Sequence, residues 1–180
     1  IAQAQSGTGK TATFTIGSLM CIDKSNQNVQ VICLSPTREL STQIYTVFKG
    51  LSEFMPDLVV ETFIGGVPVN ENIQTIKRTR PHIAIGTPGR VFDLIRRKAI
   101  NCRHVKKLIL DEADELLSYG FDEQIKSIFT CLPENIQTCI FSATLPNHIF
   151  DMTDRFMKNP ISILVKAGQL TLEGISQYYI

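Results

Sequence analysis

Three short strings in this chain carry residue types that could act together on a phosphoanhydride. Residues 4–11 read Ala-Gln-Ser-Gly-Thr-Gly-Lys-Thr, residues 111–114 read Asp-Glu-Ala-Asp, and residues 142–144 read Ser-Ala-Thr. In the first string, Gly7 and Gly9 let backbone amides curl around phosphate oxygens, with Ala4, Gln5, Ser6 and Thr8 completing the loop. The Lys10 ammonium can reach β- and γ-phosphates, and the Thr11 hydroxyl is a magnesium ligand. The strict pattern has glycine where Ala4 stands. A plain glycine turn capping a helix would explain Gly7 and Gly9 but not Lys10-Thr11 at the head of an amphipathic segment, so the reading is a nucleotide site with Lys10 facing solvent.

Asp111 closes the apolar run Lys107–Leu110, which is how a metal-binding aspartate reaches the carboxyl edge of a parallel sheet. Glu112 beside it can orient and deprotonate the water that attacks a γ-phosphate. Taken alone, the acids between 111 and 115 are equally an acidic helix start favoured by the macrodipole. The upstream loop tips the reading toward chemistry.

These groups need a frame to hold them, and the hydrophobic pattern supplies one. Apolar runs predict strands over Val29–Leu34, Leu58–Ile64, His82–Gly86, Lys107–Leu110, Thr138–Ser142 and Ile161–Val165. Helices are predicted between them, over Lys10–Cys21, Arg38–Phe54, Asn70–Lys77, Gly89–Lys98, Asp122–Cys131 and Asn147–Met157. Alternation of this kind predicts an α/β fold with a mostly parallel sheet and helices on both faces, because continuous rather than alternating apolar strands are covered twice. Only three residues precede Ala4, so the chain is expected to start inside its first strand. A domain over 1–165 is followed by an expected linker over 166–180, and the chain is read as a fragment at both ends.

Composition narrows the setting. With 180 residues and 43% apolar content the chain can bury one substantial core. Cys21, Cys33, Cys102, Cys131 and Cys139 form no C-x-x-C pair and leave one over in any disulfide scheme, which points to reduced thiols in cytoplasm or nucleus. No apolar stretch approaches a membrane span, and no membrane partner is expected. The overall charge of +1 hides an asymmetry: residues 77–107 hold ten basic residues against Asp93, leaving a net −8 for the remainder. An anionic partner for that face and a merely solvated surface both fit.

With further strings in the same order, Pro36-Thr37-Arg38-Glu39-Leu40, Gly65-Gly66 and Thr87-Pro88-Gly89-Arg90, the chain resembles the first RecA-like domain of a DEAD-box ATP-dependent RNA helicase. Ala4 in the loop agrees with that family. Val91-Phe92-Asp93, Gly120-Phe121 and Leu170–Ile175 are similar to the subgroup of translation initiation factor 4A and its nuclear exon-junction relative, whereas Ser35 and Leu116-Leu117 depart from its usual forms.

The resemblance implies ATP and Mg2+ as cofactors, with Lys10, Asp111 and Glu112 catalytic and Thr11 and Asp111 on the metal. It implies that Pro36, Thr37, Arg38, Gly66, Thr87, Gly89 and Arg90 hold an RNA backbone without reading sequence, single-stranded or in a duplex. It further implies that Asp114, Ser142 and Thr144 couple nucleotide state to RNA grip. Arg96, Arg97 and Lys98 are expected to stay solvated. A helical-repeat scaffold protein of the initiation or exon-junction machinery, a monomeric state and a cytoplasmic location, with the nucleus as alternative, follow from the same likeness. Adenine-reading residues and arginine fingers are expected outside the chain, so residues 1–180 alone should be nearly inactive. Two other readings stand beside the helicase: a nucleotide-locked RNA clamp serving as an assembly platform, and, far behind because no Asn-Lys-x-Asp string occurs, a GTPase switch.

Overall fold

The parity of buried residues along the strands explains how both faces of one sheet are covered. The computed structural model describes residues 1–5, 7–146, 149, 153, 156, 157 and 159–164. Ile32, Leu34, Ala84, Leu108, Leu110 and Ile140 join one apolar cluster. Their odd-numbered neighbours Val31, Cys33, Ile83, Ile85, Ile109 and Phe141 join another. Successive side chains of a strand point to opposite faces, so each run of apolar residues serves two cores.

The strands are β1 (Ala2–Gln3), β2 (Val31–Leu34), β3 (Val60–Phe63), β4 (Ile83–Gly86), β5 (Lys107–Leu110) and β6 (Gln137–Ser142), in the order β1-β6-β5-β2-β4-β3. Every pairing is parallel. Helices α1 (Lys10–Leu19) and α2 (Arg38–Leu51) lead the chain outward to β2 and β3. Helices α3 (Val69–Thr79), α4 (Pro88–Arg96), α5 (Ala113–Ser118) and α6 (Asp122–Cys131) accompany its return through β4 and β5 to β6. Right-handed crossovers stepping in opposite directions put their helices on opposite faces. Accordingly Phe14 of α1 and Ile44 and Phe48 of α2 pack with the odd-numbered residues. Ile76, Leu94, Leu116 and Ile128, from α3 to α6, pack with the even-numbered ones.

The carboxyl ends of all six strands face one edge, which is where every candidate string emerges. Thr37 caps α2 by accepting from the Leu40 amide at 3.1 Å, and Pro88 opens α4 at a position where a missing N–H costs nothing.

Several expectations are revised. Strands β2 and β3 are shorter than predicted, and α5 is a helix of its own, because the acidic start at 113–115 and the delivery of Asp111 are both true of the same segment. Ile161 to Leu164 form no strand; Ile163 makes a single parallel bridge to Ala2. Val165 and the expected linker 166–180 lie outside the described residues, as does most of the expected helix Asn147–Met157, of which Ile149 and Thr153 are buried. Two departures from family form have structural homes: the Ser35 hydroxyl bonds that of Ser41 at 2.6 Å, and Leu116 is fully buried. No helix among the described residues is long and apolar enough to cross a membrane.

Candidate functional site

The phosphate loop is strung between β1 and α1, and its start is tied to the end of β6. The Ala4 amide donates to the Ser142 carbonyl at 3.1 Å, and the Gln3 amide side chain to the Ala143 carbonyl at 3.2 Å. Gly7 and Gly9 have φ of 79° and 92°, left-handed conformations that side chains resist, yet an added Cβ at either would touch nothing within 4 Å. The glycines serve the backbone path, and the space above them is open for a ligand. Thr8 closes the turn through its hydroxyl to the Gln5 carbonyl at 2.7 Å. Ser6 lies outside the described residues.

Lys10 does not face solvent as the sequence suggested. It is only 9% exposed, because its stem runs back under the loop. Its ammonium donates to the Ala4 carbonyl at 2.8 Å and lies 3.2 Å from Glu112 Oε1. Packing of α1 through Phe14 against Phe141 and Phe48, with ring centroids 5.2 and 6.3 Å away, fixes the helix that carries it.

Asp111 sits one residue beyond β5, where its amide extends the ladder to the Leu34 carbonyl at 3.0 Å. It is 2% exposed. Burial first, and the neighbouring Glu112 charge second, push its carboxyl up to about 6, against the pull of Lys10 and of the Glu112 amide. A buried carboxylate in this condition is a fitting donor for a divalent cation, whose charge would restore the ionised form. No cluster of three His, Cys, Asp or Glu able to hold a metal occurs among the described residues. Magnesium is the cation this suits, since it commonly takes one or two protein carboxylates and completes its shell with phosphates and water. Asp111, with Thr11 in the first turn of α1, would be its protein ligands.

Glu112 adopts φ 48° and ψ 58°, a left-handed conformation unusual for a glutamate, as it turns the chain from strand into α5. Strain of this kind aims a side chain. Here the carboxylate is brought to Lys10 at the phosphate loop.

Two residues on, Asp114 is held by the third string. Its Oδ2 accepts from the Thr144 hydroxyl at 2.5 Å and amide at 3.3 Å, while its own amide donates to Ser142 Oγ at 3.3 Å. Burial works to raise this carboxyl, but the hydrogen bonds from Thr144 and Ser142 outweigh it and hold the group below its ordinary value. Since Ser142 also anchors Ala4, the acidic string, the Ser-Ala-Thr string and the phosphate loop form one hydrogen-bonded assembly.

Along the same edge lies a groove of about 560 Å³ lined by Pro36, Thr37, Arg38, Glu39, Gly65, Thr87, Tyr119 and Phe121. The Arg38 guanidinium rests on the glycine pair: a Cβ at Gly66 would come within 2.7 Å of its Nη1, and one at Gly65 within 3.0 Å of its Nη2. A Cβ at Gly66 would make the flexible guanidinium shift, and its φ of 93° favours glycine in any case. Gly89 is exposed with open space around it, at the start of α4. Arg90, by contrast, is tethered: its Nη1 donates a short hydrogen bond to Asn72 Oδ1 on α3, and Asn72 is 7% exposed.

The basic stretch divides. Arg96 and Arg97 are exposed and pair with Asp93 at 2.8 and 2.9 Å, and Lys107 is buried with its ammonium on the Gly17 carbonyl at 2.7 Å. Tyr119 and Phe121 had no signal as groove residues in the sequence beyond the Gly120-Phe121 pair.

The comparisons with known proteins match this arrangement. Over its full 180 residues the chain is 51% identical to the ATP-dependent RNA helicase fal1 of Aspergillus fumigatus, covering 45% of that protein. It is 49% identical to eukaryotic initiation factor 4A of Dictyostelium discoideum, again over all its residues and 44% of the relative. The chain thus spans somewhat under half the length of these curated relatives. Among solved structures, a DEAD box protein from the hyperthermophile Methanococcus jannaschii superposes with a TM-score of 0.84 at 34% identity, covering 89% of this chain and 43% of that one. Dbp5 of S. cerevisiae bound to RNA and ADP BeF3 does so with 0.85 at 29% identity, covering 98% and 44%. The DEAD/DEAH box helicase model matches residues 1–152, the span that carries the loop, the acidic string and the Ser-Ala-Thr string around one sheet edge, and the chain belongs to that family.

Proposed function

We propose that residues 1–165 are the ATP-binding RecA-like domain of an ATP-dependent RNA helicase, with 166–180 leading toward a second domain. The observation that carries this reading is the path of residues 111–121. It begins with Asp111 and Glu112 at the phosphate loop, passes Asp114 in the grip of Ser142 and Thr144, and ends with Tyr119 and Phe121 in the groove beside Arg38. A change at the nucleotide is therefore one short helix away from the groove. In this reading Gly7, Gly9 and Lys10 hold the nucleotide phosphates, and Thr11 and Asp111 hold magnesium. Glu112 positions the attacking water, and Pro36, Thr37, Arg38, Gly66, Thr87, Gly89 and Arg90 bind the RNA backbone without sequence preference.

The relative named eukaryotic initiation factor 4A supports a role in translation initiation. With that role we place the protein in the cytoplasm, the nucleus being the alternative, as a monomer that engages a helical-repeat scaffold. The full-length protein should show RNA-stimulated ATP turnover and unwind short duplexes. Turnover that RNA leaves unchanged would overturn the reading, and turnover suppressed until a partner is removed would favour the clamp. Residues 1–180 alone should turn over ATP slowly, because an arginine finger from elsewhere typically contributes about 10³- to 10⁵-fold in related enzymes.

A further inference from the structure

The groove has an aromatic rim whose construction is more rigid than a loop tip requires. Helix α5 ends in a double hydrogen bond: the Phe121 amide donates to the Leu116 carbonyl at 3.2 Å and the Gly120 amide to the Leu117 carbonyl at 3.0 Å. Gly120, at φ 76°, supplies the left-handed residue this ending needs. Leu116 is fully buried and Phe121 packs against the same cluster, which supplies the apolar contact that accompanies such an ending. Tyr119, directly before the glycine, is thereby fixed in the backbone while its side chain remains 62% exposed. It lines the groove with Pro36, Thr37, Arg38, Glu39, Gly65, Thr87 and Phe121, and among the described residues no hydrogen bond or ring contact occupies its side chain.

A large aromatic side chain left in water on a pinned backbone pays little entropy when something flat is laid upon it. Besides the Glu39 carboxylate and the Phe121 ring, which packs against the core, the groove offers a cation, hydroxyls and backbone, which suit a sugar-phosphate chain and leave its bases uncontacted. Every base has a π face, so a ring at the rim adds affinity without adding sequence preference.

We propose that the Tyr119 ring stacks on one nucleobase of the single-stranded RNA lying in this groove, as a sequence-tolerant contact beyond the backbone-binding residues. The proposal rests on the RNA-groove reading above. Because Glu112 and Tyr119 flank the one short helix that carries Asp114, a shift of the acidic string would carry to the stacked base.

The test is RNA binding by the full-length protein with an unhydrolysable ATP analogue. Its probes are short oligouridine and oligoadenosine strands, and oligouridines bearing an abasic residue at each place in turn. Tyr119→Ala should weaken both intact strands about five- to a hundredfold, the range of base-aromatic stacking, while Tyr119→Phe binds nearly as the parent does. At one abasic place the difference between parent and Tyr119→Ala should vanish. Thermal unfolding of Tyr119→Ala should match the parent, since the side chain is mostly in water. A loss that persists equally at every abasic place would show that the residue acts structurally and would overturn the proposal. If Arg38→Ala weakens binding but Tyr119→Ala does not, the groove stands and the stacking falls; if neither weakens it, the groove reading falls as well.

Discussion

Glu112 Oε1 lies 3.2 Å from Lys10 Nζ, which places the candidate base and the phosphate-directed cation side by side under one glycine loop. The pair explains why Lys10 is buried without a cost that would unfold the loop: its charge has both a carboxylate and the Ala4 carbonyl as partners. The same proximity sets a glutamate next to where a γ-phosphate would be held.

Replacing Lys10 with methionine keeps the buried stem and removes the charge. ADP affinity in the presence of magnesium should fall roughly 10- to 100-fold, the value of about 1.5–3 kcal/mol for charge-assisted hydrogen bonds. Calorimetric titration measures it, and unchanged affinity would sink the phosphate-site assignment.

Glu112→Gln keeps the shape of the residue and removes its basicity. In the full-length protein, turnover should drop at least about a hundredfold while ATP-dependent RNA binding persists, so that bound RNA is released slowly. Near-normal steady-state hydrolysis would reassign Glu112 to a structural task.

Asp111 makes the ligand-free protein sensitive to pH in a definite direction. Its carboxyl titrates near 6 in the folded chain, above its value when unfolded, so the folded state binds the extra proton. Stability associated with this group is complete below the unfolded value near 3.8 and is lost as pH rises through 6, a change of about 3 kcal/mol. Asp111→Asn should therefore be more stable than the parent at pH 7 and converge with it near pH 4 (about the ordinary carboxylate value). Melting curves across that range that run parallel for the two proteins would contradict the burial argument.

Thr144→Ala removes the hydroxyl that Asp114 accepts and leaves the phosphate loop and the groove untouched. Separate affinities for nucleotide and RNA should change little, whereas the enhancement of one by the other should shrink by a large part of a coupling typically about 5- to 150-fold. Full cooperativity in the variant would remove Thr144 from the coupling path.

Arg38→Ala and Arg90→Ala should weaken binding of unrelated RNA sequences alike and each lower the salt slope by about one. They differ in one respect. Arg90→Ala also strips the buried Asn72 carbonyl of its donor, so it should cost about 1–3 kcal/mol of stability, while Arg38→Ala should not. Sequence-selective loss of binding in either variant would refute backbone readout.

The sequence determined the parts whose meaning is local. Gly7, Gly9, Lys10 and Thr11 read as a phosphate loop because glycines that admit a tight turn, followed by a cation and a hydroxyl, suit phosphate oxygens. Apolar runs such as Val31–Leu34 and Lys107–Leu110 announce buried parallel strands because both their faces are covered. What tertiary structure decided are contacts set by which strands become neighbours, and the order β1-β6-β5-β2-β4-β3 is not the order of the chain. It brings β6 beside β1, so that Ser142 can hold Ala4 and Thr144 can hold Asp114. It buries Lys10, which reads as a solvent-facing cation in one dimension, sets the Lys107 ammonium on the Gly17 carbonyl, and ties Arg90 to Asn72. Tyr119 stands in no predicted element and carries no reading in the sequence; packing of Phe121 and Leu116 pins it at the groove. A charge or a ring has the same identity anywhere in a chain, but its exposure, its partner and therefore its energy depend on side chains that arrive from distant positions only when the sheet is assembled.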